Sequence, residues 1–354
     1  MIMDQDIVTL ARSAVPWLSS DGNQVAISSR VRLVRNLADE RFPGWAKNEQ
    51  QFSARERVHC AVADSYPTVR HWRMETLARN ERELFAERRI AGKFFAKTAD
   101  LAEVAIEKDQ HLAFRINDGD HLKISCTLPG LNLFASHEMA DSADNSISNR
   151  LEFAFDEKRG FLTADPADMG TGLRASLLLF LPALSTAEKI GQITHAIQQL
   201  GCSVGGFGGA GTGPEACIFQ VHNRITLGES EETILRRMAA LGETIAEQEL
   251  AARSEMDSTL SSLIADRMAR VIAMLCSARV VTLQEGLALL GQARLAASLG
   301  YIESRFLQKI DELLIAILPI HLQLRYGEWV KDDKLDALRA DMLRQAFAKV
   351  QLLR

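Results

Sequence analysis

Two arginines near the start of the chain have a spacing suited to binding a polyphosphate. The segment SSRVRLVRN, residues 28–36, carries Arg30 and Arg32. Side chains alternate between the two faces of a β-strand, so both arginines would project from the same face. Guanidinium groups bind phosphate oxygens through paired, charge-assisted hydrogen bonds. The segment therefore predicts a pair of arginines that binds polyphosphate. The alternative interpretation is a strand whose polar face is simply exposed to solvent.

A third arginine follows a glycine-rich turn. The segment FLTADPADMGTGLRAS, residues 161–176, places Gly-Thr-Gly before an apolar run. We predict that this run forms a helix with Arg174 in its first turn. Free amides at a helix N-terminus attract anions, and the arginine would add positive charge there. A plain loop-to-helix turn is the alternative, because a single Gly-x-Gly pattern is common.

Acidic residues and a histidine cluster in a predicted hairpin. The segment LAFRINDGDHLKI, residues 112–124, alternates polar and apolar residues on both sides of Asp-Gly, which predicts two strands joined by a tight turn. Asp118, Asp120 and His121 lie near that turn. A hairpin loop with satisfied polar groups is the simpler interpretation, since the sequence shows no nucleophile or metal partner for His121.

The composition is that of a globular protein with a large core. Of its 354 residues 47% are hydrophobic, which suits one large domain with a smaller one, or two of similar size. The net charge of -5 provides no overall attraction to nucleic acid or to an anionic membrane. The longest apolar run is shorter than a membrane span and the N-terminus does not resemble a signal peptide, so we predict a cytoplasmic protein.

The cysteines indicate neither a metal site nor disulfides. They occur singly in apolar surroundings, without a Cys-x-x-Cys or Cys/His spacing, and we predict buried, reduced thiols and no metal ligands. The five are Cys60, Cys126, Cys202, Cys217 and Cys276.

The pattern of predicted elements changes near residue 228. Before it, short alternating segments predict strands mixed with helices. These strand segments are 25–27, 111–116, 122–128, 150–155 and 217–227. After it, residues 229–275 have a helical period, and further amphipathic helices continue to residue 354. The Ser-, Asp- and Asn-rich stretch 136–149 has no clear period and predicts a loop.

The last predicted helix, residues 332–353, begins at an Asp332 cap. It carries an apolar stripe that suits packing against another helix or subunit. The stripe consists of Leu335, Leu338, Met342, Phe347 and Val350.

Taken in chain order, these segments resemble the ATP:guanidino phosphotransferase family, and within it the bacterial protein-arginine kinases. SSRVRLVRN, INDGDHLKISCTLPG, FLTADPADMGTGLRAS, FQVHNRITLGESE and the helical tail all contribute, so the resemblance covers nearly the whole chain. It implies an α+β fold: a large antiparallel sheet flanked by helices over residues 1–250, then an all-helical domain over residues 251–354 that forms a homodimer. The implied reaction is ATP-dependent phosphorylation of arginine side chains in proteins.

The resemblance also implies a nucleotide site. Arg30, Arg32 and Arg174 match phosphate-binding arginines of the family, and Lys123 stands where another arginine is expected. Lysine keeps the charge but lacks the bidentate fork. ATP with Mg²⁺ is the implied ligand if nucleotide binding survives, and otherwise we predict no cofactor.

The side of the site that would bind the substrate guanidinium departs from the family pattern. At the hairpin, a glutamate position is occupied by Gly119. The reactive cysteine of the family corresponds to Asp165, and a nearby asparagine to Asp168. Negative charge is kept there, but the thiolate is lost.

The glycine-rich run VGGFGGAGTGPE, residues 204–215, lacks the charged groups that the family carries there. A phosphate-binding arginine corresponds to Gly205, and two glutamates correspond to Ala210 and Gly213. The run also lacks the Lys of a phosphate-binding P-loop and leads into a predicted strand. We interpret it as a flexible connection between strands.

A sensing motif near the C-terminus is incomplete. Asp336 and Arg339 match residues with which protein-arginine kinases bind phosphoarginine, but the leading arginine of the motif is Leu335 here. The apolar stripe explains Leu335 equally well.

Three functions follow. The first is an inactive kinase homologue, a regulatory or scaffold subunit that binds protein partners, in protein quality control as the resemblance suggests. The second is an active protein-arginine kinase in which Asp165, Asp168 and Asp118 bind the guanidinium. The third is a nucleic-acid-binding helix over residues 70–93. Its Arg73, Arg79, Arg82, Arg88 and Arg89 alternate with Glu75, Glu81, Glu83 and Glu87, which favours a solvated face instead. We predict neither a membrane nor a nucleic-acid partner.

Overall fold

The computed structural model describes residues 3–18, 25–98, 101–207 and 215–353. Within these residues an eight-stranded antiparallel sheet has the order β2-β3-β4-β5-β1-β8-β10-β9, and β6 pairs with β7. The strands are β1 (Ala26–Arg35), β2 (Arg70–Arg73), β3 (Glu103–Ile106), β4 (Leu112–Asp118), β5 (Asp120–Pro129), β6 (Phe155–Asp156), β7 (Gly160–Phe161), β8 (Leu173–Phe180), β9 (Cys202–Gly206) and β10 (Ile218–Asn223).

Helices flank the sheet and form the C-terminal part. Those before residue 228 are α1 (Gln5–Arg12), α2 (Asn48–Ser65), α3 (Arg79–Glu87), α4 (Lys93–Thr98), α5 (Leu133–Ser148), α6 (Pro182–Thr186) and α7 (Ile190–Gln199). Those after it are α8 (Glu231–Thr259), α9 (Ser261–Ser277), α10 (Leu283–Ser298), α11 (Phe306–Ala316), α12 (Pro319–Tyr326) and α13 (Asp332–Phe347). The predicted α+β architecture is confirmed.

The central strand β1 has the predicted alternation. Val31 and Leu33 are fully buried on one face. Arg30 and Arg32 are half-buried on the other. The predicted hairpin is present as β4 and β5, and Gly119 at its turn has a φ of +73°, a left-handed conformation that glycine adopts without strain.

The segment 173–180 is strand β8 and not the predicted helix. It lies between β1 and β10, and Leu177 and Leu179 on one face and Leu178 and Phe180 on the other are all buried. A strand buried on both faces has a continuous apolar sequence, which periodicity alone does not distinguish from a buried helix. Arg174 consequently projects from a sheet rather than from a helix N-terminus.

The segment 136–149, predicted as a loop, belongs to helix α5. Ser136, Ala140, Ala143 and Ile147 are buried at helical spacing where α5 packs on β1 and β5. These side chains are mostly small, so the apolar period is weak in the sequence. The strand predicted at 150–155 was also largely wrong, since only Phe155 lies in a strand, the short β6.

Helix α8 connects the sheet to the helical part without a break at residue 250. It starts after Ser230, whose side chain accepts a hydrogen bond from the Thr233 amide, and it runs to Thr259. Its N-terminal part packs on β8. Among the described residues no helix is both long and apolar enough to span a membrane.

The last helix, α13, ends at Phe347 and packs on α9 of the same chain. Asp332 is its first residue and not its cap. The predicted stripe was partly wrong, because Leu338 and Met342 are only half-buried and Val350 lies beyond the helix. The buried face is rotated toward α9 and consists of Leu335, Arg339, Ala340, Leu343 and Phe347.

The prediction of buried thiols holds for two of the cysteines. Cys126 and Cys202 are buried and Cys217 is half-buried, but Cys60 and Cys276 are exposed on α2 and α9. Both exposed cysteines lie on helix faces that point away from the core. All five are free thiols.

Candidate functional site

A cavity of about 680 Å³ lies between the sheet and the C-terminal helices. Its sheet wall carries guanidinium groups from three strands: Arg30 and Arg32 of β1, Arg115 of β4 and Arg174 of β8. The antiparallel register places Arg32 directly opposite Arg174. The opposite wall is apolar and is formed by Leu283, Leu287, Leu318, Pro319 and Ile320. The sheet therefore brings together the three predicted phosphate-binding arginines and adds Arg115.

One carboxylate joins two of these arginines. Oδ2 of Asp168 accepts a hydrogen bond of 2.6 Å from Nη2 of Arg32, and its Oδ1 lies 2.7 Å from Nη2 of Arg174. Asp168 is only 3% exposed. It ends a short 3₁₀ turn that Thr226 fixes through hydrogen bonds to the carbonyl groups of Ala167 and Met169. A buried negative charge therefore lies between two groups that would otherwise face an anion.

Arg89 positions Arg30. Its carbonyl oxygen accepts a hydrogen bond of 2.6 Å from Nη1 of Arg30, and its backbone has a φ of +62°. Its own guanidinium donates to the carbonyl of Phe207 and, over 2.7 Å, to Oε1 of Gln220. The guanidinium carbon also lies 5.3 Å from the centre of the Phe207 ring. Sequence reasoning missed this role, because Arg89 belongs to the run predicted to be a solvated face.

That prediction of a solvated face was wrong for several members of the run. Arg88 is 2% exposed, and its guanidinium donates to the carbonyls of Leu10 and Ala14. Glu81 is buried and accepts the Ala78 amide, which caps α3. These side chains bind neighbouring backbone groups, so the segment does not present a continuous basic surface for nucleic acid.

Burial, together with nearby positive charges at Arg30 and His222, lowers several pKa values in the cavity. Burial is the largest cause for Arg30, whose pKa lies well below its usual value, and Arg115 and Arg32 lower it further. Burial also lowers the pKa of Arg89 to about 10. His222 of β10 lines the same cavity, and burial together with the charges of Arg174 and Arg32 lowers its pKa to about 4. The imidazole is consequently neutral at pH 7.

The acidic hairpin residues pair with basic neighbours. Asp118 forms an ion pair with Arg115 and lies 3.6 Å from Nζ of Lys123. Burial opposes its ionisation, but the charges of Arg115 and Lys123 prevail and lower its pKa. Lys123 also lies 3.4 Å from Asp120, and burial lowers the pKa of its ammonium group. Lys123 therefore balances hairpin carboxylates and is not among the residues that line the cavity.

His121 has a structural role in the hairpin. It is 1% exposed, and its Nδ1 accepts a hydrogen bond of 3.1 Å from the Leu37 amide. Burial lowers its pKa. The uncharged ring serves as an acceptor for the chain that follows β1.

The other predicted acidic residue, Asp165, does not join the two arginines. It is exposed and accepts a hydrogen bond of 3.0 Å from the Ala167 amide at the start of the 3₁₀ turn. The three carboxylates proposed for a rebuilt guanidinium site thus have separate partners: a backbone amide for Asp165, two cavity arginines for Asp168, and Arg115 with Lys123 for Asp118.

The glycine-rich run begins within the sheet. Gly205 belongs to β9 and pairs with Gln220 of β10, so the connection between the strands starts later than the sequence suggested. Ala210 and Gly213, the positions matched to glutamates, lie outside the described residues.

The predicted sensing residues are part of the core of the helical region. Arg339 is 2% exposed and donates to the carbonyls of Ile317 and Val281 over 3.0 and 2.8 Å. It also pairs with Asp336 on the same helix. These contacts connect α13 to the end of α11 and to the segment between α9 and α10. They leave the guanidinium no exposed surface for a phosphoarginine.

Comparison with known proteins agrees with this geometry. Residues 54–252 match the family described as ATP:guanido phosphotransferase, C-terminal catalytic domain, and residues 261–353 match the protein-arginine kinase McsB C-terminal domain. The protein-arginine kinase of Moorella thermoacetica is 34% identical over 339 residues, which covers 94% of this chain and 97% of the relative. The protein-arginine kinase of Syntrophomonas wolfei is 34% identical over 343 residues, covering 95% and 96%.

Solved structures show the same fold at lower identity. A duplicated taurocyamine kinase from Schistosoma mansoni has a TM-score of 0.59 and 21% identity, covering 66% of this chain and 34% of that chain. A lombricine kinase has a TM-score of 0.58 and 19% identity, covering 73% and 74%. At this identity the likeness concerns the fold alone.

The antiparallel sheet flanked by helices has the guanidino-kinase fold. The chain belongs to the ATP:guanido phosphotransferase family. Within that family it is a homologue of the protein-arginine kinases over nearly its whole length. The resemblance inferred from the sequence motifs is therefore confirmed.

Proposed function

We propose that this chain is a catalytically inactive or severely impaired member of the protein-arginine kinase branch, and that it acts as a regulatory or scaffold subunit for protein partners. The observation that carries the proposal is the pairing of Asp168 with Arg32 and Arg174 at 2.6 and 2.7 Å. The carboxylate neutralises the two arginines at the place where the phosphates of a nucleotide would bind them.

Phosphoryl transfer makes this pairing significant. The protein contributes to that reaction almost entirely by positioning the reactants and stabilising charge. A fixed carboxylate beside the phosphate arginines repels the transferring group and reduces its stabilisation. Removal of one electrostatic contact of this kind typically costs about 3 to 4 kcal/mol in barrier height.

The changes at Gly119 and Gly205 support the same conclusion. Neither glycine offers the charged side chain that family members carry there, and Gly213 of the glycine-rich run is a third such position. Losses within one catalytic unit are not additive, but together they remove most of the acceleration.

ATP with Mg²⁺ remains the ligand that fits the cavity in this proposal. Arg30, Arg32 and Arg174 would hold the phosphates, and the apolar wall formed by α10 and the Leu318–Pro319 turn suits the base. Binding would be weak, because the phosphates must displace the Asp168 carboxylate from Arg32 and Arg174.

The test is an ATP-dependent phosphotransfer assay on an arginine-rich unfolded protein, scored as acid-labile phosphate. The protein-arginine kinase of Moorella thermoacetica at the same concentration is the positive control, and Arg174→Ala of this chain is the matched background. We expect no incorporation above that background. Incorporation that Asp165→Ala abolishes would overturn the proposal in favour of an active kinase with a rebuilt guanidinium site.

Two apolar side chains of the helical region are largely exposed. Leu263 of α9 is 66% exposed and Val280 after it is 61% exposed. We propose a homodimer formed through residues 251–354, and a cytoplasmic location that agrees with the five free thiols. Light scattering should show a dimer that Leu263→Glu dissociates and that Gln308→Glu, at an exposed position of α11, leaves intact. A monomeric parent protein would contradict it.

A further inference from the structure

Three metal-ligating side chains meet at the edge of the sheet, outside the cavity. His59 comes from α2, His71 from β2 and Glu103 from β3. Nδ1 of His59 lies 2.7 Å, and Nδ1 of His71 2.5 Å, from the same oxygen, Oε1 of Glu103. Potential ligand atoms of all three side chains lie within 4.8 Å of one another.

The position of the cluster is fixed by regular elements. β2 is the edge strand, and its pairing places His71 opposite Ala105 and Arg73 opposite Glu103. His71 and Glu103 are therefore diagonal neighbours on one face of the sheet, and α2 brings His59 onto that face. The residues are far apart in the sequence, which explains why their spacing predicted no metal site.

The glutamate at the centre is unusual. Glu103 is fully buried. Its Oε1 accepts hydrogen bonds from both imidazoles, whereas its Oε2 makes no hydrogen bond with the described residues. Nε of Arg73 is 3.9 Å from Oε2, and Arg73 already pairs with Glu56 at 2.9 Å. The Oε2 oxygen of this buried carboxylate is therefore available to a cation, and a cation bound there would satisfy it.

We propose that His59, His71 and Glu103 bind one Zn²⁺ ion. Two imidazoles and a carboxylate are a donor set that Zn²⁺ prefers, whereas Mg²⁺ and Ca²⁺ favour all-oxygen sites. Zinc–ligand bonds of about 2.0 to 2.1 Å in a tetrahedron separate the ligand atoms by roughly 3.4 Å. The nitrogens must therefore move by about 1 Å from Oε1. The imidazoles remain 26% and 18% exposed, which leaves a fourth position for water.

The ion would attach α2 to the edge of the sheet. Helix α2 meets β4 and β5 elsewhere, and a metal shared by α2, β2 and β3 would add a link to the outermost strand. Since Zn²⁺ binds the folded chain, it should raise the melting temperature, by an amount that grows with the logarithm of its concentration relative to its dissociation constant.

The experiment is a Zn²⁺ titration by calorimetry on the full chain after chelator treatment and desalting. We expect one equivalent to bind, and His59→Gln or His71→Gln to weaken binding at least about tenfold, since even outer-shell changes cost that much. His195→Gln, an exposed histidine of α7, is the matched control and should bind as the parent does. His137→Gln tests the other His/acid cluster, formed with Asp141 and Glu231.

Co²⁺ provides an independent signal on the unaltered protein, because its visible absorption reports tetrahedral coordination. We expect that spectrum in the parent protein and its loss in His59→Gln, whose partly exposed ring makes misfolding a small concern, with circular dichroism as the check. Three outcomes would overturn the proposal: no stoichiometric Zn²⁺ binding, binding that both histidine variants retain, or binding that only His137→Gln removes.

Discussion

Oδ2 of Asp168 lies 2.6 Å from Nη2 of Arg32, which lines the cavity between the sheet and the C-terminal helices. The same carboxylate reaches Arg174. The carboxylate therefore pairs with the two guanidinium groups to which a phosphate group would bind. We expect this pairing to weaken the binding of anions in the cavity.

Replacement of Asp168 by asparagine should strengthen binding of Mg·ATP. The amide keeps the shape of the side chain but removes the negative charge, so Arg32 and Arg174 become available to phosphate oxygens. We expect affinity to rise about tenfold, or about 1.4 kcal/mol, by calorimetry. Asp109→Asn changes the same charge at an exposed turn and should leave the affinity as it is. Equal or weaker binding by Asp168→Asn would contradict the role assigned to the carboxylate.

Arg89 is predicted to stabilise the cavity wall. Arg89→Ala removes the guanidinium that donates to the Phe207 carbonyl and to Gln220, and leaves these acceptors without a donor. Loss of a hydrogen-bonded charged group from a half-buried position costs about 1 to 3 kcal/mol. Urea denaturation measures the change, and Arg79→Ala, an exposed arginine at the start of α3, is the control. A loss no larger than that of the control would show that the contacts contribute little.

The sequence predicted those parts of the site that depend on local period. The two-residue alternation of β1 correctly placed Arg30 and Arg32 on one face, and the Asp-Gly turn correctly marked the β4–β5 hairpin. The sequence did not distinguish a strand from a helix at segment 173–180, because burial of a strand on both faces removes the alternation of polar and apolar residues. Arg174 was therefore predicted at a helix N-terminus, whereas the structure places it on β8 opposite Arg32.

The pairings inside the cavity depend on contacts between distant segments. Asp168 is 136 residues from Arg32, and Arg89 is 131 residues from Gln220. No spacing rule connects such positions, and a charged run such as residues 70–93 has the same composition whether it is solvated or, like Arg88, buried. The loop prediction for α5 failed for a related reason, since small buried residues give almost no hydrophobic period.

His222 should make the protein sensitive to acid. Its pKa is about 4 in the folded chain and about 6.5 when unfolded, so the unfolded state binds the proton first as the pH falls. Stability is therefore intact above about pH 6.5 and declines toward pH 4, by about 2 kcal/mol at pH 4.5 from this group. His222→Gln should lose less stability between pH 7 and 4.5 in denaturant titrations, whereas His195→Gln should behave as the parent. An equal loss of stability between pH 7 and 4.5 in the parent protein and in His222→Gln would exclude this cause.

Gly291 sets how closely helix α10 approaches the short turn that precedes β10. A Cβ atom at this position of α10 would lie 2.7 Å from the carbonyl oxygen and 2.8 Å from Cα of Ala216, which are backbone atoms that cannot rotate away. Gly291→Ala should destabilise the protein by about 1 to 3 kcal/mol, although alanine favours a helix by about 1 kcal/mol. Gly191→Ala in α7, where no atom lies within 4 Å, should be neutral or stabilising in the same melting experiment.

The same substitution should also weaken nucleotide binding. Helix α10 contributes Leu283 and Leu287 to the cavity wall, so a shift of the helix away from Ala216 moves that wall away from the arginines. We expect calorimetry to show weaker Mg·ATP binding by Gly291→Ala than by Gly191→Ala at a temperature where both are folded. Unchanged affinity with a lowered melting temperature would mean that the helix moves without altering the cavity, and the apolar wall would then have no part in binding the base.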